Sequence, residues 1–247
     1  MIHQFKQRYN KSLFAPGWFG LFFNPYFIIR RGLFKKIKLL SPSLSGKLMD
    51  FGSGSKPYRN LFHVEQYIGV DIETSGHDHT HEEIDVFYDG KTIPFPDQHF
   101  DSIFSSEVFE HIFNLDAILN ELNRVLKPGG KMLITIPFVW DEHEIPYDFA
   151  RYTSFGIQHI LKEKGFTILS SQKTTPYVAT IFQMWIAYLY QHILPQKKQL
   201  RILLTPILIT PFTVLGVLTS KLLPKNHNFY HNNVLLIEKP HADFPIH

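Results

Sequence analysis

Residues 48–58 read LMDFGSGSKPY and residues 67–73 read YIGVDIE. An apolar strand over 47–51 runs straight into the glycine loop Gly52-Ser53-Gly54. A second strand over 67–71 ends on Asp71, 21 residues after Asp50. Glycines after a strand let the backbone approach a ligand closely, and an acid ending the next strand can accept both hydroxyls of a ribose. Further along, 84–88 reads as a weaker strand, 100–105 as a fourth, and 131–136 as a fifth announced by the turn Lys127-Pro128-Gly129-Gly130. Leu115, Ile118, Leu119, Leu122, Val125 and Leu126 recur at spacings of three and four, which predicts a helix with one apolar face. A second helix is expected over 155–164 with Gly165 as its stop, then strands over 166–170 and 233–238. This alternation predicts an α/β fold: a Rossmann-like, seven-stranded, mostly parallel sheet with helices on both faces and a hydrophobic helical insert before the last strand.

The spacing from the glycine loop to Asp71 suits any adenosine-type cofactor, so nicotinamide has to be weighed against S-adenosyl-L-methionine. A dinucleotide fingerprint requires G-x-G-x-x-G with the last glycine packing helix on strand. Counted from Gly52, that position is Pro57, and an acid stands two residues before the first glycine. Both features favour S-adenosylmethionine.

Four segments in order, LMDFGSGSKPY, YIGVDIE, DVFYDGKTIPFPDQHFDSIFSSEVFEHI and LKPGGKMLITIPF, resemble the class I S-adenosylmethionine-dependent methyltransferases, in particular the group with a methyltransferase type 11 domain. The resemblance covers about half the chain, from Leu48 to Ser170. It implies that Asp50, Gly52, Ser53 and Gly54 surround the methionine portion of the cofactor. Asp71 would bind the ribose hydroxyls, Ile72 would lie beside the adenine, Asp89 with Gly90 would receive the adenine amino group, and Ser105 would lie near the sulfonium. The family's common third loop glycine is Lys56 here.

Glu107, Glu110 and His111 form E-x-x-E-H, which resembles a metal-dependent variant among quinone-pathway O-methyltransferases. The same pair occurs across the wider family without metal, and no metal is assigned. His77, His79 and His81 alternate with Asp78 and Thr80 in a polar loop and read as solvated. After the fifth strand, residues 137–153 concentrate histidine, acids, an arginine and aromatics. In open α/β sheets ligands bind beyond the carboxyl ends of the strands, where this loop begins. The stretch resembles a subgroup of bacterial methyltransferases that accompany cell-surface glycan synthesis. Trp140, Tyr147, Asp148, Arg151 and Tyr152 are therefore the acceptor-site candidates. A hydroxyl acceptor must lose its proton, and a base of near-neutral pKa helps: His143 is the first candidate, His111 the second, Glu144 the third. Arg151 suits an acidic or phosphorylated acceptor, and pairing with Asp148 is the competing reading.

The 247 residues carry a net charge of +3 and no cysteine, which excludes disulfide frameworks, thiolate metal sites and cysteine nucleophiles. The charge is unevenly placed. Residues 1–49 hold nine Lys/Arg and no acid, residues 50–163 hold eight basic and twenty acidic residues, and residues 164–237 hold seven basic and no acid. The chain thus divides into a basic amphipathic extension (1–46), a cofactor-binding core (47–175), a hydrophobic insert or cap (176–230), and a final strand with tail (231–247). Basic residues interleaved with large apolar ones fit an anionic membrane surface better than a nucleic acid. Pro206 and Pro211 interrupt the uncharged run 202–219 and argue against a regular spanning helix. The expectation is a cytoplasmic O-methyltransferase at the inner face of a membrane, acting on a glycan or lipid-linked acceptor. Methylation of a quinone or aromatic lipid is a second possibility, and a non-catalytic, cofactor-binding, membrane-docking protein a third. Oligomeric state is not legible.

Overall fold

The computed structural model describes residues 2–73 and 84–241. Its centre is a seven-stranded sheet. Strand β1 (Lys47–Phe51) pairs in parallel with β2 (Gln66–Ile72) on one side and with β4 (Phe100–Ser106) on the other. β2 then pairs in parallel with β3 (Val86–Tyr88), and β4 with β5 (Leu126–Pro137). With β6 (Thr167–Lys173) and β7 (Asn232–Glu238) the order is β3-β2-β1-β4-β5-β7-β6. β1 and β7 are buried almost throughout, as expected of strands covered on both faces. The chain reverses its direction of travel across the sheet between β1 and β4, and the loops leaving these two strands diverge there.

β6 runs three residues past its expected end, and two strands begin away from their expected starts. β3 begins at Val86 rather than Ile84 because the Asp85 carboxylate accepts the Gly69 N–H at 2.6 Å and the Lys56 ammonium at 2.8 Å. β5 begins at Leu126, so the expected turn 127–130 lies inside the strand. Phe100 pairs with Leu126 and Ser102 with Lys131, so four residues bulge between two pairings. Gly129 supplies the left-handed backbone (φ +75°), its N–H donates to Lys239 O at 2.6 Å, and Lys239 N–H donates to Gly130 O at 2.9 Å.

Helix α4 (Leu115–Val125) turns Leu115, Ile118, Leu119, Leu122 and Val125 into the core, the face its spacing predicts. Arg124 at its end binds Glu121, Asp97 and the carbonyls of Ile93 and Phe95, which pins the segment that follows β3. Helix α5 (Ser154–Glu163) is capped by the Thr153 hydroxyl, which accepts the Gly156 N–H at 3.0 Å, and it ends before left-handed Gly165.

The chain forms two compact units: residues 37–172 with 233–247, which contain the sheet, and residues 1–36 with 173–232. The second unit joins both acid-free segments. It contains α1 (Ile2–Phe14), α2 (Trp18–Phe23), most of α3 (Phe27–Leu40), α6 (Tyr177–Tyr188), α7 (Lys198–Leu204) and α8 (Thr210–Leu222). The prolines do not break the long helix. A single π-helical turn, Thr205–Ile209, carries Pro206 and joins α7 to α8 without a gap, since the wider turn accommodates the missing N–H.

Within this unit Gln183 of α6 is fully buried and caps a different helix. Its Oε1 accepts the N–H groups of Ile28 and Ile29 in the first turn of α3 at 3.1 and 3.2 Å, and its Nε2 donates to Pro25 O at 2.9 Å. Helix N-termini leave such donors without partners of their own. Gln183→Ala strands all three groups in a dry interior and should destabilise the protein by about 1–3 kcal/mol. Chemical denaturation of both proteins checks this, and an unchanged midpoint would remove Gln183 as the cap.

Candidate active site

The loop after β1 takes its shape from close approach. Gly52 and Gly54 have φ of +74° and +43°, and a Cβ on Gly52 would lie 2.2 Å from Cγ2 of Val108 in the loop after β4. Only glycine fits where the two loops touch. The Gly54 N–H donates to Asp71 Oδ2 and the Ile72 N–H to Asp71 Oδ1, both at 2.8 Å. Asp71 therefore fixes the glycine loop against the end of β2. Lys56, in place of the family's third glycine, keeps a left-handed backbone (φ +51°) and anchors its ammonium on Asp85. Room for it comes from Gly69, where a Cβ would lie 2.3 Å from Lys56 Cε and 2.7 Å from Ser53 Oγ.

Asp50 is buried at the end of β1. Burial pushes its carboxyl up to about 7, although the Tyr67 hydroxyl donates to Oδ2 at 2.5 Å and partly offsets the shift. The Ser53 and Ser105 hydroxyls are buried, with no hydrogen-bond partner among the described residues. On the other side of Asp71, a Cβ on Gly90 (φ +77°) would lie 3.0 Å from Ile72 Cδ1, so these two residues face each other. Asp89 is exposed. Its Oδ1 accepts the N–H groups of Lys91 and Thr92 at 2.8 and 2.7 Å, which hold its pKa below the usual carboxylate value. Asp50, Gly52, Ser53, Gly54, Asp71, Ile72, Asp89, Gly90 and Ser105 all lie at or just beyond the carboxyl ends of β1 to β4.

The loop after β5 is closed by its own charges. Arg151 forms a two-pronged pair with Asp148 at 2.5 and 2.7 Å and donates to the carbonyls of Ala150 and Asp141. These bonds pull Asp148 down to about 2. Asp148 and Arg151 thus shape the loop. Asp148 Oδ2 also accepts the His143 N–H at 2.9 Å and lies 3.4 Å from His143 Nδ1, which is 3.1 Å from Asp141 O. The Asp141 carbonyl at 3.1 Å favours a proton on Nδ1 over the longer 3.4 Å contact from Arg151 Nη2, and Nε2 then keeps its lone pair. Trp140 lies half-buried early in this loop and Tyr147 is exposed at its turn. Tyr152 packs against the sheet core, its N–H donating to Pro137 O at 3.3 Å and its carbonyl accepting from Asn233.

His111 meets this loop from the other side. Its Nδ1 is 2.7 Å from Tyr147 O, its ring lies 4.7 Å from that of His143, and its Nε2 is 3.6 Å from Glu144. Burial keeps its pKa below the ordinary histidine value. Beneath it lies Glu110, fully buried, neither carboxylate oxygen accepting a hydrogen bond, its pKa pushed well up by burial and then by Glu107. Among the described residues, ligand atoms of Glu110, His111 and His143 lie within 4.8 Å of one another, a set that could hold a divalent cation. Its members differ from E-x-x-E-H, because Glu107 instead accepts the Thr135 hydroxyl at 2.7 Å. The structure therefore brings His143, His111 and Glu144, from two loops, to one place.

The sequence marked Glu110 only as a member of E-x-x-E-H and did not mark the Lys56–Asp85 pair. The burial of Glu110 had one signal, its position beside His111 between apolar Phe109 and Ile112. His77, His79 and His81 lie outside the described residues.

A family profile described as a methyltransferase domain matches residues 49–134. Over 94 residues the chain is 35% identical to a ubiquinone/menaquinone biosynthesis C-methyltransferase of a Shewanella strain, and 34% identical to that of Shewanella oneidensis. Each match covers 38% of this chain and 36% of the relative, so the shared part is little more than a third of those proteins. Among solved structures, the [4+2]-cyclase SpnF matches with a TM-score of 0.54 at 17% identity, over 85% of this chain and 81% of that one. Phosphoethanolamine N-methyltransferase 2 of Haemonchus contortus, bound to its phosphobase and S-adenosylhomocysteine, matches with 0.51 at 20% identity, over 91% and 53%. At such identities the structural likeness establishes the fold, which hosts a cyclase as readily as a methyltransferase. Residues 49–134 of this chain are a methyltransferase domain, set in a Rossmann-like class I methyltransferase fold.

Proposed function

We propose that the chain transfers a methyl group from S-adenosylmethionine to an oxygen of a glycan or lipid-linked acceptor at a membrane surface. The observation that carries the cofactor is the glycine loop held on Asp71 by the Gly54 N–H, in a chain whose residues 49–134 match a methyltransferase domain. The fit extends to particular atoms. The buried Ser53 and Ser105 hydroxyls have no hydrogen-bond partner among the described residues, and a side chain at Gly52 or Gly90 would crowd Val108 or Ile72. Asp71 would hold the ribose hydroxyls, Ile72 and Gly90 the adenine face, Asp89 Oδ2 the adenine amino group, and Asp50 with Gly52 to Gly54 the amino-acid end.

The cofactor supplies an electrophilic methyl group on a sulfonium. The protein's own task is alignment, exclusion of water and removal of the acceptor proton. His143 suits that task, since Asp141 O and Asp148 steady Nδ1 and leave Nε2 to accept a proton. The Asp148 carboxylate stabilises the imidazolium that results. His111 and Glu144, adjacent, are the next candidates. With both terminal nitrogens of Arg151 engaged by Asp148, the arginine serves to position His143 rather than to hold an acidic acceptor.

A second reading, methylation of a quinone or aromatic lipid, is favoured by the match to quinone C-methyltransferases and by the Glu110, His111 and His143 donor set. Assays of demethylated quinones and of lipid-linked glycans, each with and without a chelator, separate the two. Chelator-sensitive methylation of the quinone alone would transfer the assignment to the second reading.

Three outcomes are expected. Calorimetric titration with S-adenosylhomocysteine should give saturable binding that weakens at least about tenfold in Asp71→Ala, a loss of about 1.4 kcal/mol or more. Unchanged affinity would remove the ribose assignment. His143→Ala should leave that titration intact and lower turnover by about 10²–10⁴; full activity would dismiss His143 as the base, and binding without turnover on either acceptor class would favour the non-catalytic reading. The third concerns pH. The folded pKa of Asp50 lies above the unfolded value, so its contribution to stability is fully present below about 4 and is lost as pH rises towards 7. Asp50→Asn should flatten the fall in stability of the ligand-free protein between pH 5 and 7, read by denaturation at both values. Parallel curves for the two proteins would contradict a buried, proton-binding Asp50.

A further inference from the structure

The unit of residues 1–36 and 173–232 is built with its polar side inward. In the 25-residue helix Lys198–Leu222, the buried residues are Thr205, Ile209, Thr210, Thr213 and Gly216. Leu203, Ile207, Leu208, Leu215, Leu218 and Leu222 are exposed. α6 repeats the pattern. Ala179, Thr180, Gln183, Ile186 and Ala187 are buried, whereas Ile181, Trp185 and Tyr188 are exposed. A helix of a water-soluble domain does the reverse. Small and hydroxylated residues between helices, with leucine outward, are the arrangement of helices packed in lipid.

Three further observations agree. A Cβ on Gly216 would lie 2.7 Å from Phe182 Cβ, so α8 reaches α6 at a distance only glycine allows. The hydroxyls of Thr205, Thr213 and Thr219 donate back to helix carbonyls, and Thr210 donates to Phe22 O, so these donors need no water. Only 28% of the helix's most apolar 18-residue stretch is buried.

Charge identifies the occupant of the exposed face. Residues 1–36 hold seven Lys/Arg and residues 173–232 hold six, with no Asp or Glu in either. Lys35 lies within electrostatic range of Arg31 and Lys221, and Lys36, Lys173 and Lys225 gather around His227. These cations sit where the hairpin of α6 and α8 leaves β6 and rejoins β7, while Lys197, Lys198 and Arg201 sit at its tip. A second copy would bring a like-charged surface against this one. Anionic lipid supplies both the apolar phase and the opposite charge.

We infer that α6, α7 and α8, backed by residues 1–36, insert into an anionic lipid bilayer through their outward leucine, isoleucine and tryptophan face. Both ends of the hairpin continue into neighbouring strands, so it enters and leaves the bilayer on one side. The inference deepens the membrane part of the proposed function, but does not depend on the cofactor or the acceptor.

The test uses the full chain with vesicles of phosphatidylcholine, alone or with 30% phosphatidylglycerol as probe composition. The protein should float with the anionic vesicles at least about fivefold more than with the neutral ones, and half a molar salt should reduce flotation without abolishing it. Phospholipids brominated along the acyl chain should quench tryptophan emission, and Trp185→Phe should remove most of that quenching. Leu215→Glu with Leu218→Glu, both on the exposed face, should keep S-adenosylhomocysteine binding and lose flotation. Overturning results are equal flotation of this folded double variant, quenching unchanged by Trp185→Phe, or a stable dimer in detergent-free buffer that ignores anionic vesicles. Because S-adenosylhomocysteine binding is read on the same preparation, failure of the cofactor reading is distinguishable from failure of this one.

Discussion

Gly52 and Val108 meet where the sheet reverses its direction of travel, and the rest of the site depends on that contact. β1 and β4 are neighbours, yet their loops turn away towards opposite halves of the sheet. Before they part, the two loops touch so closely that one of them can carry no side chain there. A Cβ at Gly52 would sit 2.2 Å from Val108, so any other residue would push the glycine loop off the strand ends or displace the start of Glu107 to His111. With that contact in place, Gly54 reaches Asp71 on one flank and Glu110 and His111 face the loop after β5 on the other. One steric constraint thus positions both halves of the candidate site.

The parts of this arrangement that follow from spacing were legible in the sequence. Leu115 to Val125 recur at helical intervals, and the glycine loop stands a fixed distance before Asp71. Asp148 and Arg151 are three apart, and their pairing was foreseen as one of two readings. Other parts depend on partners distant along the chain. Lys56 looks like the loss of a required glycine until its backbone is seen left-handed and its ammonium held by Asp85, 29 residues on. Glu110 stands in E-x-x-E-H with apolar Phe109 and Ile112 nearby, but the full burial of its carboxyl depends on the loop after β5, whose Phe149 and Ala150 N–H groups donate to its carbonyl. The turn 127–130 was visible, but its absorption into β5 depends on Lys239, more than a hundred residues away.

The insert shows a different limit. Its hydrophobicity was plain, but the direction of its faces was not, because pattern reading assigns threonine and glutamine to the outside by default. Gln183 reverses that assignment by serving as the cap of α3, and Gly216 by letting two helices touch. The joining of residues 1–36 with residues 173–232 had one trace in the sequence, their shared lack of acid. Charge bookkeeping recorded a common environment without revealing the contact.

The long segment between β6 and β7 must leave one strand and return to the next, and the residues at its two ends show how. Thr174 and Thr175 lie just after β6, and His231 and Asn232 lie at the start of β7. All four are buried. The Thr174 N–H donates to Asn232 O and the Asn232 N–H to Thr174 Oγ1, both at 3.0 Å, while Thr174 Oγ1 donates to Asn232 Oδ1 at 3.1 Å. The His231 N–H donates to Thr175 Oγ1 at 3.2 Å. Backbone groups that can rely on neither water nor a regular ladder must find partners close by, or each costs a few kcal/mol. Threonine and asparagine meet that demand because their side chains can stand in for backbone groups. These bonds close the segment between β6 and β7 on itself where it begins and ends, so its first and last backbone groups are satisfied within the same unit.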